Sequence, residues 1–466
     1  MSRGERYVVT AEHLAARAAR ARELTGILAA DGVRAVALTI VDNAGVTRVK
    51  AVPTSRLEAA ARFGVGLSPV FDVFLVNDHI TASAEVGGPV GDLRLMPDLD
   101  ALRPLAAQPG WAWAPTDQYT QEGEPFPSCQ RSFTRAMVER AAALGLELSM
   151  GFELEWFMAR RTSEGISPVH AGPAYSAIVL AEVSDFARDL IVALEDERVE
   201  VLQFHPEYAT GQLEVSIAPR SPVAAADDDV LLRQTIRGVA VRHGMSASFA
   251  PVAIAGEVGN GGHVHFSLWE GGRNLFAGGD GPHGMTARGE SFVAGILAEL
   301  PALVAIGSPS VGSHLRLVPS HWSGPWACWG LENREAAIRF VTGMVGTHES
   351  AANTEVKCFD SSANPYLVAG ALIAAGLAGV ERDLRLPPEA TGDPAGYSQE
   401  DLVRLGIRRL PRSVEEAVGQ LEESRVLREA LGDVLFGAFV AVRRAEQEAF
   451  AGMDDEAVVA AHLWRY

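Results

Sequence analysis

The chain contains little cysteine, and none of it in a pattern that cysteine chemistry requires. Its 466 residues include only three cysteines, Cys129, Cys328 and Cys358, which lie far apart and show no CxxC spacing. A disulfide framework and a structural zinc site are therefore not predicted. Because disulfides persist in oxidising compartments, the expected location is the reducing cytoplasm.

The sequence also lacks a long apolar run that would target or cross a membrane. The first twenty residues are polar and basic, without the apolar centre of a signal peptide. An apolar run at residues 367–380 is too short to span a bilayer and is predicted to be a buried core helix. No membrane partner is expected.

The chain has fewer basic than acidic residues. Lys and Arg together number 40 against 59 Asp and Glu, which gives a formal net charge of −19 at pH 7. Nucleic acids attract clustered basic residues, so no nucleic-acid partner is expected. The acidic balance is compatible with metal ions or a cationic substrate, although solubility alone also explains it.

What remains is the composition of an ordinary globular protein, with 48% apolar and 21% charged residues. A stretch rich in Gly, Pro and Trp, residues 108–127, has weak periodicity and is predicted to contain a domain boundary. The boundary divides a small N-terminal domain, residues 1–115, from a larger one, residues 116–466. The mixed order of strands and helices favours an α+β fold with a large antiparallel sheet.

Local patterns predict several helices and a hairpin. Ser413 and Glu416 form a capping box that starts a helix running to about residue 431. The other predicted elements are two strands around a turn at residues 43–45 and helices over residues 11–28, 132–144 and 434–450.

Acidic side chains recur in pairs on strand-like segments. Glu153 and Glu155 in GFELEWF share one strand face, because successive strand residues point to opposite faces. Two such carboxylates repel each other, and a divalent cation would offset the repulsion; the alternative is a solvated polar face. Glu207 and Glu214 flank a turn containing Gly211, and a hairpin there would bring both carboxylates together.

Two further segments add histidine and charge. GNGGHVHFSLW is a glycine-rich loop that enters a strand carrying His263 and His265, and TEVKCF places Glu355 and Lys357 on one strand face. The sequence thus offers five carboxylates and a histidine on strands or the turns between them. Mg²⁺ takes oxygen ligands and Mn²⁺ tolerates an imidazole, so a paired-metal site for phosphoryl chemistry is predicted.

Three arginines are candidate partners for phosphate or carboxylate groups. Arg316 lies in SHLRLVP, and Arg334 and Arg339 lie in WGLENREAAIRFV. A guanidinium binds such anions in a bidentate way. Surface arginines need no function, but these three lie between apolar segments, which favours a functional interpretation.

Five segments in this order resemble the glutamine synthetase family: GFELEWF, HPEYATGQLEV, GNGGHVHFSLW, RLVP followed by WGLENREAAIRF, and EVKCFDSSANPYL. The resemblance covers nearly the whole chain, most firmly residues 129–367. It implies an N-terminal β-grasp domain and a C-terminal catalytic domain with a curved antiparallel sheet. It also implies a homo-oligomer, a dodecamer of two hexameric rings in which neighbouring subunits share each active site.

The same resemblance assigns roles to residues, and these roles are expectations. The first Mg²⁺ or Mn²⁺ ion would be held by Glu155, Glu207 and Glu214, and the second by Glu153, His263 and Glu355. The implied ATP contacts are His265, Ser267, Arg334 and Arg339. The implied glutamate contacts are Gly259, Arg316 and Lys357. The implied catalytic cations are Arg316, Arg334 and Arg339.

The chain departs from the family pattern at three places. Lys357 stands where the family has a second carboxylate-binding arginine, and lysine loses the two-pronged geometry. Ammonia-using members carry an Asp-Gly-Ser-Ser segment that GVGLSPVFDVF lacks, and Asp72 within it has no assigned place. Those members also carry a flap Glu after RLVP, where this chain has Trp322.

Trp322 is therefore the predicted amine-site residue. An aromatic face attracts cations and covers methylene groups, which suits an alkyl-ammonium substrate better than ammonium. The wording of the motifs most resembles the actinobacterial γ-glutamylpolyamine synthetase branch, so putrescine or spermidine is the expected amine. The alternative at this position is a packing residue in an enzyme that still uses ammonia.

The implied reaction has two steps. ATP phosphorylates the γ-carboxylate of glutamate, and the amine then displaces phosphate from the acyl phosphate. Two alternatives stay open: a glutamine synthetase that uses ammonia, and a catalytically inactive member of the family. The second is disfavoured because all six implied metal ligands are present.

Overall fold

The computed structural model describes residues 10–163 and 165–466 of the chain. Its N-terminal part is a six-stranded sheet packed against two helices. In chain order the elements are α1 (Ala11–Ala30), β1 (Ala35–Val41), β2 (Thr47–Pro53), α2 (Leu57–Phe63), β3 (Val65–Leu67), β4 (Leu93–Pro97), β5 (Arg103–Pro104) and β6 (Trp111–Tyr119). The predicted helix over residues 11–28 is confirmed.

The N-terminal sheet has the strand order β2-β1-β6-β4-β3, with β5 paired to β6. β1 and β6 run parallel, and the other pairs are antiparallel. Leu28 of α1 and Leu57 of α2 pack on Val36 and Leu38 of β1, so one face of the sheet is covered. This is the N-terminal β-grasp domain that the sequence predicts.

The turn between β1 and β2 confirms the predicted hairpin and reaches the larger part of the chain. The Asp42 carboxylate accepts the backbone N–H groups of Ala44 and Val46, each at 2.9 Å. Gly45 has a φ of +81°, and a Cβ there would lie 1.8 Å from the carbonyl oxygen of Ser362. Only glycine permits this approach.

The predicted boundary region contains the central strand of this sheet. β6 pairs with β1, β4 and β5, and most of its residues are buried. Burial on both faces removes the polar alternation of a half-exposed strand, which explains the weak periodicity of residues 108–127. A division between residues 115 and 116 would cut β6, whereas one after Tyr119 leaves the sheet whole.

The larger part is built on an eleven-stranded curved sheet. Its strands are β7 (Glu147–Thr162), β8 (Gly165–Pro168), β9 (Val201–Pro206), β10 (Gln212–Ile217), β11 (Ser246–Ser248), β12 (Gly262–Glu270), β13 (Arg273–Asn274), β14 (Trp326–Leu331), β15 (Ala336–Val341), β16 (Asn353–Val356) and β17 (Arg408–Arg409). The order is β17-β14-β15-β16-β12-β7-β10-β9, with β8 and β11 on β7 and β13 on β12. All described pairs are antiparallel except β14 with β15.

Helices cover this sheet and fill the core. They are α3 (Gln130–Ala143), α4 (Ala177–Asp196), α5 (Pro222–Arg242), α6 (Ala287–Gly307), α7 (Ser313–Arg316), α8 (His348–Ala351), α9 (Pro365–Glu381), α10 (Gln399–Leu405), α11 (Val414–Glu423), α12 (Arg425–Ala449) and α13 (Asp455–His462). Short 3-10 helices lie at Thr54–Arg56, Pro69–Val73, Pro282–Gly284 and Pro394–Gly396. The predicted helix over residues 132–144 is confirmed as α3.

Two apolar helices form the centre of the core. α9 contains the apolar run of residues 367–380 and is buried, as predicted. Within the described residues, α6 is long and apolar enough to cross a membrane by length and composition alone, but most of it is buried in the fold. The two helices touch at Gly295 and Gly379, where a Cβ on Gly379 would lie 2.6 Å from the Cα of Gly295. α6 is therefore a core helix.

The C-terminal helices start as predicted but divide differently. The Ser413 side chain accepts the backbone N–H of Glu416, which confirms the helix start. The helix ends at Glu423, earlier than predicted, because Ser424 caps the start of α12. α12 bends at Gly432, whose φ is +73°, and it contains the predicted helix over residues 434–450 as far as Ala449, with Phe450 as its C-cap.

Candidate functional site

Neighbouring strands bring the predicted acidic, histidine and arginine side chains together. β9, β10, β7, β12, β16 and β15 lie side by side in that order. The cross-strand neighbours are Glu214 with Glu155, His263 with Glu153, and Glu355 with both His265 and Arg339. Cross-strand neighbours point to the same face of a sheet, so these side chains meet.

The side chains line one cavity of about 900 Å³. The predicted residues that line it are Glu153, Glu155, Glu207, Glu214, Gly259, His263, His265, Arg316, Trp322, Arg334, Arg339 and Lys357. Glu355 is buried directly behind this lining and contacts Arg339 and Lys357. Ser267 is not a lining residue, and its hydroxyl accepts the Trp269 indole N–H at 2.8 Å.

One acidic cluster lies at the end of β9 and on β10, with Glu207 directly after β9. The carboxylates of Glu207 and Glu214 and the ring of His205 each offer a ligand atom, all within 4.8 Å of one another. His205 Nε2 lies 3.1 Å from Glu214 Oε1. Tyr175 donates its hydroxyl hydrogen to Glu207 Oε2 at 2.7 Å, which fixes the orientation of that carboxylate.

A second cluster lies on β7, β12 and β16. Glu153, His265 and Glu355 offer ligand atoms within 4.8 Å of one another. His263 lies between the clusters, with Nδ1 3.0 Å from Glu153 Oε2 and 3.2 Å from Glu355 Oε1. Its Nε2 is 3.6 Å from Glu155 Oε1, so Glu155 and His263 join the two groups.

The first cluster carries excess negative charge. Burial, and then the charges of Glu153, Glu155 and Glu207, raise the pKa of the Glu214 carboxyl to about 12. Burial and the charge of Glu155 also raise the pKa of Glu207. Carboxylates forced together in this way ionise together only when a cation is added.

The second cluster is balanced by its histidines and a lysine. Burial would raise the pKa of Glu153, but hydrogen bonds from His263 and His265 outweigh it and hold that pKa well below its usual range. Burial likewise opposes ionisation of Glu355, whose pKa is lowered mainly by Lys357. Burial would lower the pKa of His265, yet its contacts with Glu153 and Glu355 raise it to about 9.

These donors fit hard divalent cations. Oxygen ligands with one or two imidazoles suit Mg²⁺ and Mn²⁺, and the repulsion around Glu214 favours added positive charge. The two clusters contain four of the six predicted ligands, while Glu155 and His263 lie between them. His205 is an additional candidate that the sequence interpretation missed, although it lies two residues before Glu207.

Arg316 is a buried cation with a free donor. Its Nη2 lies 3.3 Å from His263 Nε2 and donates to the Lys357 carbonyl oxygen at 3.2 Å. Its Nη1 is buried and has no hydrogen-bond partner among the described residues. A buried guanidinium nitrogen that lacks an acceptor is costly, so a ligand oxygen would be favourable there.

The glycine-rich loop approaches the charged residues closely. A Cβ at Gly259 would lie 2.2 Å from the carbonyl oxygen of Pro251, and one at Gly261 would lie 2.4 Å from His263 Nε2. Gln212 donates to the Gly259 carbonyl oxygen at 3.1 Å and to Glu155 Oε2 at 2.8 Å. Only glycine fits at residue 259, where the clash is with backbone, and a side chain at residue 261 would displace His263 and Arg316. Gln212 carries no sequence signal that marks it.

The mouth of the cavity is aromatic. Trp322 is 57% exposed, and Tyr175 and Tyr208 are 51% and 63% exposed; all three line the cavity. The Arg334 guanidinium lies 5.8 Å from the centre of the Trp322 ring. Asp72, in contrast, is buried in the N-terminal part and does not line the cavity.

Comparison with known proteins identifies the family of this fold and site. Residues 23–123 match the family described as glutamine synthetase N-terminal domain, and residues 127–459 match glutamine synthetase, catalytic domain. The chain belongs to the glutamine synthetase family, and it is a ligase that forms carbon–nitrogen bonds.

Individual relatives are similar over almost the whole chain. The γ-glutamylpolyamine synthetase GlnA3 of Streptomyces coelicolor is 52% identical over 450 residues, which cover 96% of this chain and 97% of that protein. A crystal structure of a novel glutamine synthase homolog has a TM-score of 0.84 at 32% identity and covers 93% of this chain and 99% of its own. A complex of GmaS with ADP has a TM-score of 0.80 at 28% identity, with coverage of 92% and 97%.

Proposed function

We propose that this chain uses ATP to join the γ-carboxylate of glutamate to a di- or polyamine such as putrescine or spermidine. The observation that carries the proposal is Trp322, an exposed aromatic side chain at the mouth of an acid-lined cavity. A carboxylate-rich interior attracts a polycation, and an aromatic wall covers its methylene groups. The similarity to γ-glutamylpolyamine synthetase GlnA3 supports the same substrate class.

The proposal assigns two divalent ions, Mg²⁺ or Mn²⁺, to the acidic residues. One site would use Glu155, Glu207 and Glu214, and the other Glu153, His263 and Glu355, with His205 as an added candidate. When bound, such ions supply positive charge beside the phosphates of ATP. The strands hold the donors at fixed spacing, and Tyr175, Gln212 and Ser216 orient them through hydrogen bonds.

Glutamate would bind at the inner end of the cavity. The buried, partnerless Nη1 of Arg316 is the proposed ligand of its α-carboxylate, beside the Gly259 loop. Lys357 adds positive charge at the same end, although its ammonium also donates to Glu355 at 3.1 Å. A guanidinium suits a carboxylate better than an ammonium does, so Arg316 is the main anchor.

ATP would bind near β12 and β15. Arg334, Arg339 and His265 line the cavity. The two arginines are the proposed partners of the terminal phosphate, His265 is a proposed nucleotide contact, and Ser267, which does not line the cavity, stays a nucleotide contact by family resemblance alone. The phosphoryl group transfers to a γ-carboxylate oxygen of glutamate, which gives γ-glutamyl phosphate and ADP. The neutral amine nitrogen then bonds to the acyl carbon, its proton is lost, and phosphate leaves. The chain's residues orient the reactants and exclude water.

A second candidate is glutamine synthesis from ammonium. The match to the glutamine synthetase catalytic domain favours it, and the Arg334 guanidinium 5.8 Å from the centre of the Trp322 ring fits Trp322 as a packing residue. A catalytically inactive protein is the third candidate, and the convergence of the six predicted ligands argues against it.

The deciding experiment measures phosphate release with ATP, glutamate and a panel of amines. Putrescine or spermidine should give a kcat/KM about a hundredfold above that of ammonium. Trp322→Ala should raise the KM for the diamine, whereas Trp111→Ala, which removes an exposed tryptophan on β6, should not. Preference for ammonium would establish glutamine synthesis instead, and the absence of turnover with every donor would establish inactivity.

The oligomer is also a proposal. We propose a dodecamer of two hexameric rings in the cytoplasm, in line with the family resemblance and with three free, buried cysteines. Exposed apolar side chains that an assembly would cover include Val49, Phe63, Met344 and Val345. Mass photometry should then give a particle of twelve chains, and a monomer would contradict the proposal.

A further inference from the structure

The loop that carries Trp322 is held by one buried carboxylate. We infer that Glu335 is a positioning residue that fixes the 320–322 loop, so that Trp322 stands as a wall of the amine site. The inference rests on the proposed function, because it takes Trp322 to contact the amine. Glu335 does not line the cavity itself, so it would act through the loop and not on the substrate.

Both oxygens of Glu335 bind the backbone of the loop. Trp322 donates its backbone N–H to Oε1 at 2.7 Å, and Ser320 donates its own to Oε2 at 3.2 Å. Glu335 is only 6% exposed. Two N–H groups two residues apart thus converge on one anion, an arrangement that backbone concavities use to hold charge.

The loop adopts a conformation that its own residues disfavour. Ser320 has a φ of +60° and Trp322 a φ of +54°, both in the left-handed region. A bulky residue rarely adopts this region, because its Cβ crowds the following carbonyl oxygen. Such a conformation persists where surrounding contacts impose it, and the Glu335 hydrogen bonds join both residues concerned.

Glu335 is itself anchored to the sheet. It directly precedes β15, and its backbone N–H donates to Asn333 Oδ1 at 3.0 Å. The Asn333 amide donates in turn to the carbonyl oxygens of Ala390 at 2.7 Å and Gly392 at 3.0 Å. Ser320 Oγ donates to Asp393 Oδ2 at 3.1 Å, which ties the loop to the same segment.

Glu335 has no cationic partner to explain its burial. Across residues 10–163 and 165–466, no lysine or arginine nitrogen lies within 4.0 Å of its carboxylate. Burying an unpaired carboxylate is unfavourable, and the N–H groups of the 320–322 loop are its main compensation. The carboxylate and the loop therefore stabilise each other.

The first test compares Glu335→Gln with Glu400→Gln, a change at an exposed residue on α10. A glutamine side chain turns one acceptor into a donor, so it cannot accept both N–H groups. Because a hydrogen bond to a charged group is lost, the KM for putrescine should rise about tenfold, and the KM for ATP and for glutamate should stay within about twofold. Equal rises for all three substrates would mean a merely structural role and would overturn the inference.

A double-mutant cycle tests whether Glu335 acts through Trp322. In a Trp322→Ala background, Glu335→Gln should produce no further rise in the amine KM, because the wall is already absent. Multiplicative effects would overturn the inference. If Glu335→Gln does not fold, Glu335→Asp replaces it in the same measurements, because the shorter aspartate side chain cannot reach both N–H groups.

Hydrogen exchange separates this inference from the proposed function. The backbone amides of Ser320 and Trp322 should exchange faster in Glu335→Gln than in the wild type, whichever nitrogen donor the enzyme uses. A wild-type preference for ammonium would refute the proposed function alone. Unchanged exchange at both amides would refute the positioning role alone.

Discussion

The ammonium nitrogen of Lys357 lies 3.1 Å from Oε1 of Glu355, and both side chains are buried. Nη1 of Arg339 lies 3.0 Å from the other oxygen of the same carboxylate. Glu355 therefore has one cation on each oxygen. Lys357 is one of only two lysines among the 40 lysine and arginine residues of the chain. Its position beside Glu355 is thus one of the few where this chain uses an ammonium group in place of a guanidinium.

Replacement of Lys357 by Met should destabilise the protein, because it leaves Glu355 buried with one cation. Loss of a partner in a buried pair costs about 3 kcal/mol in the free energy of unfolding. Urea unfolding in EDTA measures it. The matched control is Lys50→Met, which removes the other lysine and its hydrogen bond to the Gly66 carbonyl oxygen. Equal losses of unfolding free energy in the two variants would show that the Lys357–Glu355 pair does not stabilise the fold more than the Lys50 hydrogen bond does.

Replacement of Glu214 by Gln should move stability and activity in opposite directions. Burial and the neighbouring carboxylates raise the pKa of Glu214 to about 12, so folding in EDTA requires this side chain to take up a proton. A neutral glutamine removes the cost of that protonation, so the melting temperature in EDTA should rise. It also removes a proposed metal ligand, so stabilisation by Mg²⁺ should shrink and turnover should fall by more than about a hundredfold. Differential scanning fluorimetry with and without Mg²⁺ measures both effects. A variant that is less stable than the wild type in EDTA would contradict the raised pKa of Glu214.

Arg131 is a buried cation that joins the two parts of the chain. Its guanidinium lies 2.7 Å from Asp98, 3.1 Å from Asp117 and 2.8 Å from Asp227, and it is 4% exposed. Arg131→Met would leave three carboxylates without this partner. The free energy of unfolding should fall by about 3–5 kcal/mol, measured by urea unfolding.

The control for Arg131 is an exposed ion pair. Arg188 on α4 pairs with Asp185 at 2.8 Å, and the two side chains are 63% and 76% exposed. Arg188→Met should change the free energy of unfolding by less than about 1 kcal/mol, because water screens the pair. Similar losses in the two arginine variants would mean that burial does not set the strength of these interactions.

Asp72 should make stability depend on pH. Burial raises its pKa to about 7, so the folded protein holds this proton more tightly than the unfolded chain, whose aspartates titrate near pH 4. The free energy of unfolding should therefore fall as pH rises from about 4 to 7, by up to roughly 1.4 kcal/mol per pH unit from this group. Below about pH 4 both states are protonated, so stability from this group is highest and no longer changes with pH; above about pH 7 both states are ionised and the loss is complete.

The variant Asp72→Asn has no titrating group at this position, so it lacks this pH dependence of stability. Urea unfolding at pH 5, 6, 7 and 8 should show that the free energy of unfolding of the variant increases relative to that of the wild type as pH rises. Asp92→Asn, at an exposed aspartate, should give a curve parallel to that of the wild type. Parallel curves for all three proteins would contradict the raised pKa of Asp72.

Much of the site could be predicted because strand geometry is local. Alternation placed Glu153 with Glu155 and His263 with His265, each pair on one face, and these pairs do line the cavity. The order of the strands could not be read in this way, because β7 pairs with β10 and β12, which come later in the chain. That order depends on packing across the whole fold.

The residues that were missed are those whose role depends on distant contacts. Glu335 looks like an ordinary polar residue in a turn, and only the folded loop shows which N–H groups it accepts. β14 (Trp326–Leu331) escaped prediction because its first five residues are all buried, so the strand lacks alternation. Its parallel pairing with β15 likewise has no local signal.

The cavity is expected to form late in folding, because strands that are neighbours in the sheet lie far apart in the chain. Glu153 and Glu355 flank the same strand, β12, yet they are roughly two hundred residues apart in sequence. Closing so long a loop is slow, and the donor set is incomplete until it closes. High affinity for a divalent ion would thus require correct pairing of these strands. A chain with the wrong strand register would bind the ion weakly.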